Sequence, residues 1–217
     1  CPLGGEDAQA VAVVGDYAYV AVDAGGLRIV DVSNPAAPRE VAACDSPGYA
    51  QGIAVSEDLV CLADGPGGLA IYRFDAPPIP EPTIGPKPTV APTVIPDPLT
   101  PVGQIGGATQ AVATMGNYAL AGIGPRLGVF DLSDPVTPVL IGQSEVLPGP
   151  ILDIAVAEGY AYVALGAEGL RILSLAELSA PSVVGEYNMR TGVRVVTISG
   201  NHLYVSEAVY SDVSILD

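Results

Sequence analysis

Apolar residues in this chain come in short, almost unbroken runs rather than in strict alternation: residues 10–14 read AVAVV and residues 18–22 read AYVAV, with Gly15, Asp16 and Tyr17 between them. A strand with one wet face alternates, whereas a strand covered on both faces reads as continuous apolar sequence. The first repeat of the pattern predicts four extended segments, over 8–14, 17–22, 27–32 and 39–43, each rich in Val, Ile, Leu, Ala and Tyr. The breaks between them carry turn chemistry. Gly15-Asp16 predicts a two-residue type I′ hairpin, and Gly116-Asn117 and Gly200-Asn201 repeat it. Gly25-Gly26 and Gly67-Gly68 mark a second turn, and Ser33-Asn34-Pro35 and Ser133-Asp134-Pro135 a third. The unit is a small antiparallel meander.

The meander recurs. Copies begin at Val11, Ile53, Ala111, Ile154 and Val196, and the equivalent positions Tyr17, Leu59, Tyr118, Tyr160 and His202 lie 42, 59, 42 and 42 residues apart. One period of 42 is therefore broken by a single insertion of 17. Short strands at such a period are the signature of propeller blades, each buried between its neighbours. The expected fold is all-β, a β-propeller of about five four-stranded blades in a single domain spanning residues 1–217. The last blade is expected to be incomplete, or completed by another strand. Its third strand ends at Asp217, and residues 1–6 could supply only a stub. Val213, Ile215 and Asp217 would then lie on an open edge that invites pairing. A segment of a longer propeller is the other expectation.

In the third strand, Leu27-Arg28-Ile29-Val30-Asp31 followed by Val32-Ser33-Asn34-Pro35 closely resembles the LVIVD repeat, found in bacterial and archaeal surface or secreted proteins. Leu127-Gly128-Val129-Phe130-Asp131, Leu170-Arg171-Ile172-Leu173-Ser174 and Val213-Ser214-Ile215-Leu216-Asp217 are similar, and Leu69-Ala70-Ile71-Tyr72-Arg73 departs at the acidic position. The resemblance implies a β-propeller at the cell surface or outside it. It implies no catalytic residues, because propellers host many unrelated roles.

Residues 76–101, APPIPEPTIGPKPTVAPTVIPDPLTP, form a Pro-rich insertion between the third and fourth strands of the second repeat. Proline at this density enforces extended or polyproline II conformation. One reading is a stiff surface spacer, O-glycosylated at Thr83, Thr89, Thr93 or Thr100. The other is an arm running from Pro77 and Pro80 to Pro98 that docks on a neighbouring subunit through Thr89-Val90 and Thr93-Val94-Ile95. A head-to-tail contact that does not close builds a filament or tube.

Composition narrows the partners. With 24 acidic against 8 basic residues the net charge is −16, which disfavours nucleic acid and anionic lipid surfaces. Only 15% of residues are charged while 49% are hydrophobic, so a surface partly covered by copies of the same chain is expected. No run is long enough to span a membrane as a helix. Cys1 stands where a mature bacterial lipoprotein carries its lipid, which makes it a candidate attachment site and the one expected route to a membrane. The alternative is an ordinary residue at a cleavage boundary. Cys44 and Cys61 are then a candidate disulfide between adjacent blades, with Cys1–Cys44 as the competing link.

Catalytic motifs are missing. His202, the only histidine, occupies a turn position held by tyrosine in sister repeats. Asp31, Asp131 and Asp217 read as turn-stabilising residues, Asp23 and Asp64 lack the spacing of a calcium loop, and no zinc pattern exists. Tyr17, Tyr19, Tyr160, Tyr162 and Tyr204 recur with the blade period and read as packing residues. The expectation is a non-enzymatic extracellular protein, without cofactor or metal, that self-associates into a filament, tube or surface layer. The alternative is a monomeric surface lipoprotein or adhesin-like propeller that binds a protein or glycan.

Overall fold

A computed structural model describes residues 7–76, 98–189, 192–207 and 213–216. Every regular element among them is a strand. Blade one comprises β1 (Ala8–Val14), β2 (Tyr17–Val22), β3 (Gly26–Asp31) and β4 (Arg39–Cys44). Blade two comprises β5 (Gly52–Ser56), β6 (Leu59–Ala63), β7 (Leu69–Phe74) and β8 (Leu99–Ile105), and blade three β9 (Thr109–Met115), β10 (Tyr118–Ile123), β11 (Arg126–Asp131) and β12 (Val139–Gln143). Blade four comprises β13 (Asp153–Ala157), β14 (Tyr160–Ala164), β15 (Leu170–Ser174) and β16 (Ser182–Tyr187). Blade five has three strands, β17 (Val193–Ser199), β18 (His202–Glu207) and β19 (Val213–Leu216). Each sheet is an antiparallel meander in sequence order, and the five form a propeller.

The hairpins depart from expectation in one respect. Gly15 and Gly116 take φ of +57° and +55°, but Asp16 and Asn117 are not at positive φ, so these loops lack the second left-handed residue that a type I′ turn requires. The third turn behaves as read from sequence. Asp31 accepts hydrogen bonds from the Ser33 N–H at 3.0 Å and the Ser33 hydroxyl at 2.6 Å, and Asp131 accepts the Ser133 N–H at 2.8 Å. These bonds to the charged form hold both carboxyls below the usual carboxylate range.

Between the third and fourth strands all four complete blades carry a bulge at the same place. Val41, Val102, Ile141 and Val184 are each skipped in the register. The residues just after them, Ala42, Gly103, Gly142 and Gly185, sit opposite Ile29, Ile71, Val129 and Ile172. In blade two the fourth strand begins earlier than the boundary of the Pro-rich insertion suggested. Leu99, Thr100 and Pro101 pair with Phe74, Arg73 and Tyr72, and the Pro98 carbonyl accepts the Asp75 N–H at 2.8 Å.

The core lies between blades. Consecutive blades share apolar clusters: Tyr19, Ile29, Leu62 and Phe74 between one and two, Cys61, Ile71 and Phe130 between two and three, Leu120, Leu127 and Leu173 between three and four, and Leu170, Val196 and Val205 between four and five. Full burial of such side chains contributes about 1.5–3 kcal/mol each. Among the described residues no cluster joins blade five back to blade one.

Candidate functional site

The five-fold repetition makes equivalent positions comparable, and the two end blades differ from the rest. Leu27, Leu69, Leu127 and Leu170 open the third-strand motif and are at most 1% exposed, because the next blade covers them. Val213, in the same place on blade five, is 63% exposed. Ile29, Ile71 and Val129 are fully buried, whereas Ile215 is 57% exposed. At the other end, Val112, Ile154 and Val196 on inner strands are buried against the preceding blade, but the equivalent Val11 is 64% exposed, with Val13 beside it at 63%. The side of blade five that should meet a following blade and the side of blade one that should meet a preceding blade are both uncovered and apolar. By the logic of the repeat, these two faces are complementary.

Inner strands β1, β5, β9, β13 and β17 surround a central channel of about 650 Å³. The same repeat position at its end is Gln9, Gln51, Gln110, Leu152 and Arg194, so three carboxamides and a guanidinium face one space. Asp153 joins them. Its Oδ1 accepts the Ile154 N–H at 2.9 Å, and its Oδ2 accepts the Val196 N–H of blade five at 2.8 Å, tying blades four and five together. Burial pushes its carboxyl up to about 6, against the opposing pull of the two N–H groups. A carboxyl raised in the folded state is charged more readily when unfolded, so this group lowers stability as pH rises from near 4 to above 6. In a carboxyl-carbon NMR titration Asp153 is expected to show a midpoint near 6; a midpoint near 4 would contradict the burial described here.

The LVIVD repeat matches the sequence four times, over residues 5–46, 47–72, 106–145 and 148–189, which is more than half of the chain. The chain belongs to the LVIVD repeat family. No curated protein matches it. Similar solved folds include the computationally designed Ika8 protein, at TM-score 0.65 and 10% identity over 97% of this chain and 58% of that one. The computationally designed Ika4 protein matches at TM-score 0.57 and 9% identity over 82% of this chain and 97% of that one. A chain of a nidogen–laminin complex matches at TM-score 0.68 and 12% identity over 98% of this chain and 76% of that one. At these identities the likeness is one of fold. The LVIVD chain spans under two thirds of the Ika8 length.

Within this LVIVD propeller, the residues singled out from sequence fall in different places. Val213 and Ile215 lie exposed on β19, whereas Asp217 and Cys1 are outside the described residues. Of the arm, Pro77, Pro80, Thr89, Val90, Thr93, Val94 and Ile95 are also outside them, and Pro98 is at the foot of β8. Cys44 and Cys61 are not joined to each other. Cys61 is fully buried between blades two and three, while Cys44 packs between blades one and two and donates its Sγ–H to the Asp45 carbonyl at 3.4 Å. The bridge expected between adjacent blades therefore fails on direction: the two side chains leave their sheets toward different interfaces. Burial also pushes the Cys61 thiol up to about 12, which keeps it protonated and unreactive.

Asp64, which precedes a glycine-rich turn, does not face solvent. It is fully buried, accepting the Ser46 hydroxyl and, at 2.8 Å, the Gly48 N–H, and it ties blade two to the segment leaving blade one. No cluster of three metal-ligating side chains occurs among the described residues. Tyr17 and Tyr19 pack edge-on against Phe74 at centroid distances of 5.1 and 5.8 Å, as packing residues should. The channel ring of glutamines was missed in the sequence. Its signal was present, since Gln9, Gln51 and Gln110 recur at spacings of 42 and 59, identical to the blade spacing.

Proposed function

We propose that this protein is a non-catalytic structural subunit that associates head to tail, outside the cell, through the uncovered faces of blades one and five. The observation that carries this reading is the exposure of Val213 at a position that all four other blades bury, with Ile215 exposed where blades one to three bury their residue and Ile172 of blade four is half-buried. Val213 and Ile215 of one copy meet Val11 and Val13 of the next and recreate the contact seen between consecutive blades. Such a contact uses different surfaces on its two sides, so it leaves a free end after each addition and grows into a filament or tube unless the rotation closes it. The Pro-rich insertion is proposed as an auxiliary arm on the neighbouring copy. With a net charge of −16, copies repel at low ionic strength, so salt is expected to promote assembly. Electron microscopy with mass measurement over a range of concentrations and salt tests the reading. Polymers that lengthen with both support it, and a concentration-independent monomer overturns it.

A second reading is favoured by the channel. Three carboxamides from successive blades, facing one space with no hydrogen-bond partner among the described residues, suit a polar ligand such as a glycan end. In that case the protein is a surface-anchored binding propeller, lipidated at Cys1, and it remains monomeric while holding its ligand.

A further inference from the structure

The inner strands begin with an irregular step that brings one side chain per blade to the channel mouth. In β1 Gln9 is skipped in the register between Ala8 and Ala10, and in β17 Arg194 is skipped between Val193 and Val195. In β9 Gln110 and Ala111 together oppose Gly122. Gln51 holds the same place before β5, its N–H donated to the Ala63 carbonyl at 2.8 Å, and Leu152 before β13 donates likewise to Ala164 at 2.9 Å. A bulge sets two residues against one and re-aims a side chain that the pleat would otherwise turn into a blade interface. Gln110 is exposed and Gln51 half-buried although a following blade stands beside each. The accessibility of this position therefore comes from the step in the strand, not from the ends of the chain.

Arg194 is the chemically distinct member of the ring. Among the described residues, Arg28, Arg39, Arg73 and Arg171 pair with carboxylates, and Arg126 donates to the Ser144 carbonyl at 2.7 Å. Arg194 has no such partner among them, in a chain with 24 acidic residues against 8 basic. The channel is lined by one other ionisable side chain, Asp153, and both of its oxygens are engaged by the Ile154 and Val196 N–H groups. The mouth thus presents an unpaired guanidinium, a planar fork matched to a carboxylate. Across the channel, on blades two and three, Gln51 and Gln110 can each donate and accept, as hydroxyl groups require. A net charge of −16 repels an extended polyanion, so the ligand that fits carries its carboxylate singly.

We propose that the channel mouth binds a sugar acid, one carboxylate flanked by hydroxyls, with Arg194 clamping the carboxylate and Gln51 and Gln110 bonding the hydroxyls. The inference rests on the second reading above, in which the channel is a binding site. The same chemistry occurs in a free uronic acid and in a uronic acid that ends a neutral glycan, and the space of about 650 Å³ admits either.

The probes are glucuronic acid, glucose and a neutral trisaccharide ending in glucuronic acid. Each is titrated into the full chain at low ionic strength, and binding is read by NMR from the side-chain amides of Gln51 and Gln110 and the Nε–H of Arg194. Saturable shifts at these groups are expected with glucuronic acid, and an affinity for glucose at least ~10-fold weaker. Arg194→Gln is expected to erase that preference while leaving Tm unchanged, since the side chain is exposed and unpaired. Gln110→Leu is expected to weaken both sugars and keep the preference. Tighter binding of the trisaccharide than of the free acid supports the proposal with a glycan end as the source, and equal binding supports it with the free acid. Glucose bound as tightly as glucuronic acid would leave a binding channel but overturn the sugar acid. No saturable shift with any probe would overturn the binding channel as well, and a preference that survives Arg194→Gln would overturn the role of the guanidinium.

Discussion

Replacing Gly142 by alanine is expected to destabilise the protein by about 3 kcal/mol or more, whereas the same change at Gly185 is expected to be nearly neutral. The two glycines share a repeat position and a local register, each just after a bulge and opposite Val129 or Ile172. They differ in what lies above them. The Cβ of Ala at 142 would be 2.1 Å from the Leu178 carbonyl oxygen and 2.5 Å from Ser179 Cα, both backbone, so blades three and four must separate to admit it. At 185 the nearest atom is Ile172 Cδ1 at 3.3 Å, the end of a side chain that can turn aside. For a chain of this size the first change corresponds to roughly 6–12 °C in Tm and the second to less than ~3 °C. Thermal unfolding of both variants measures the contrast, and equal losses would mean that blade five already covers Gly185.

This contrast also shows what the sequence reveals and what it conceals. The fourth strands read VGQ, IGQ and VGE, so the recurrence of Gly103, Gly142 and Gly185 is legible. That two of them touch a neighbouring turn and the third does not is a property of blade order, which appears only when the sheets are stacked. The period, the strands and the Leu of the third strand were readable because burial on both sides leaves continuous apolar runs. The bulges were not, since skipping Val41 or Ile141 leaves the composition of the strand unchanged. Neither was the role of Asp64, because nothing local announces that Ser46 and Gly48, from the preceding blade's exit, will close over it. The cysteine pairing failed for a related reason. Spacing placed Cys44 and Cys61 in adjacent blades but could not show that they face different interfaces.

Charging either uncovered face is expected to abolish assembly while leaving the fold intact. Val11 and Ile215 are 64% and 57% exposed in the isolated chain, so Val11→Asp and Ile215→Asp remove no buried contact within it. In an assembled contact either aspartate would be buried without a partner, at a cost of several kcal/mol. Because association constants change tenfold for every ~1.4 kcal/mol, each variant alone is expected to be monomeric where the parent forms polymers. A substitution in the loop between blades three and four, such as Val146→Asp, also exposed, is the control and is expected to assemble normally.

The two variants together test head-to-tail association most directly. Val11→Asp spoils the face of blade one and keeps that of blade five; Ile215→Asp does the reverse. Sedimentation velocity on an equimolar mixture is predicted to show a species of twice the chain mass and no larger one, with each variant alone sedimenting as a monomer. A mixture that stays monomeric, or a single variant that assembles as the parent does, would contradict the account.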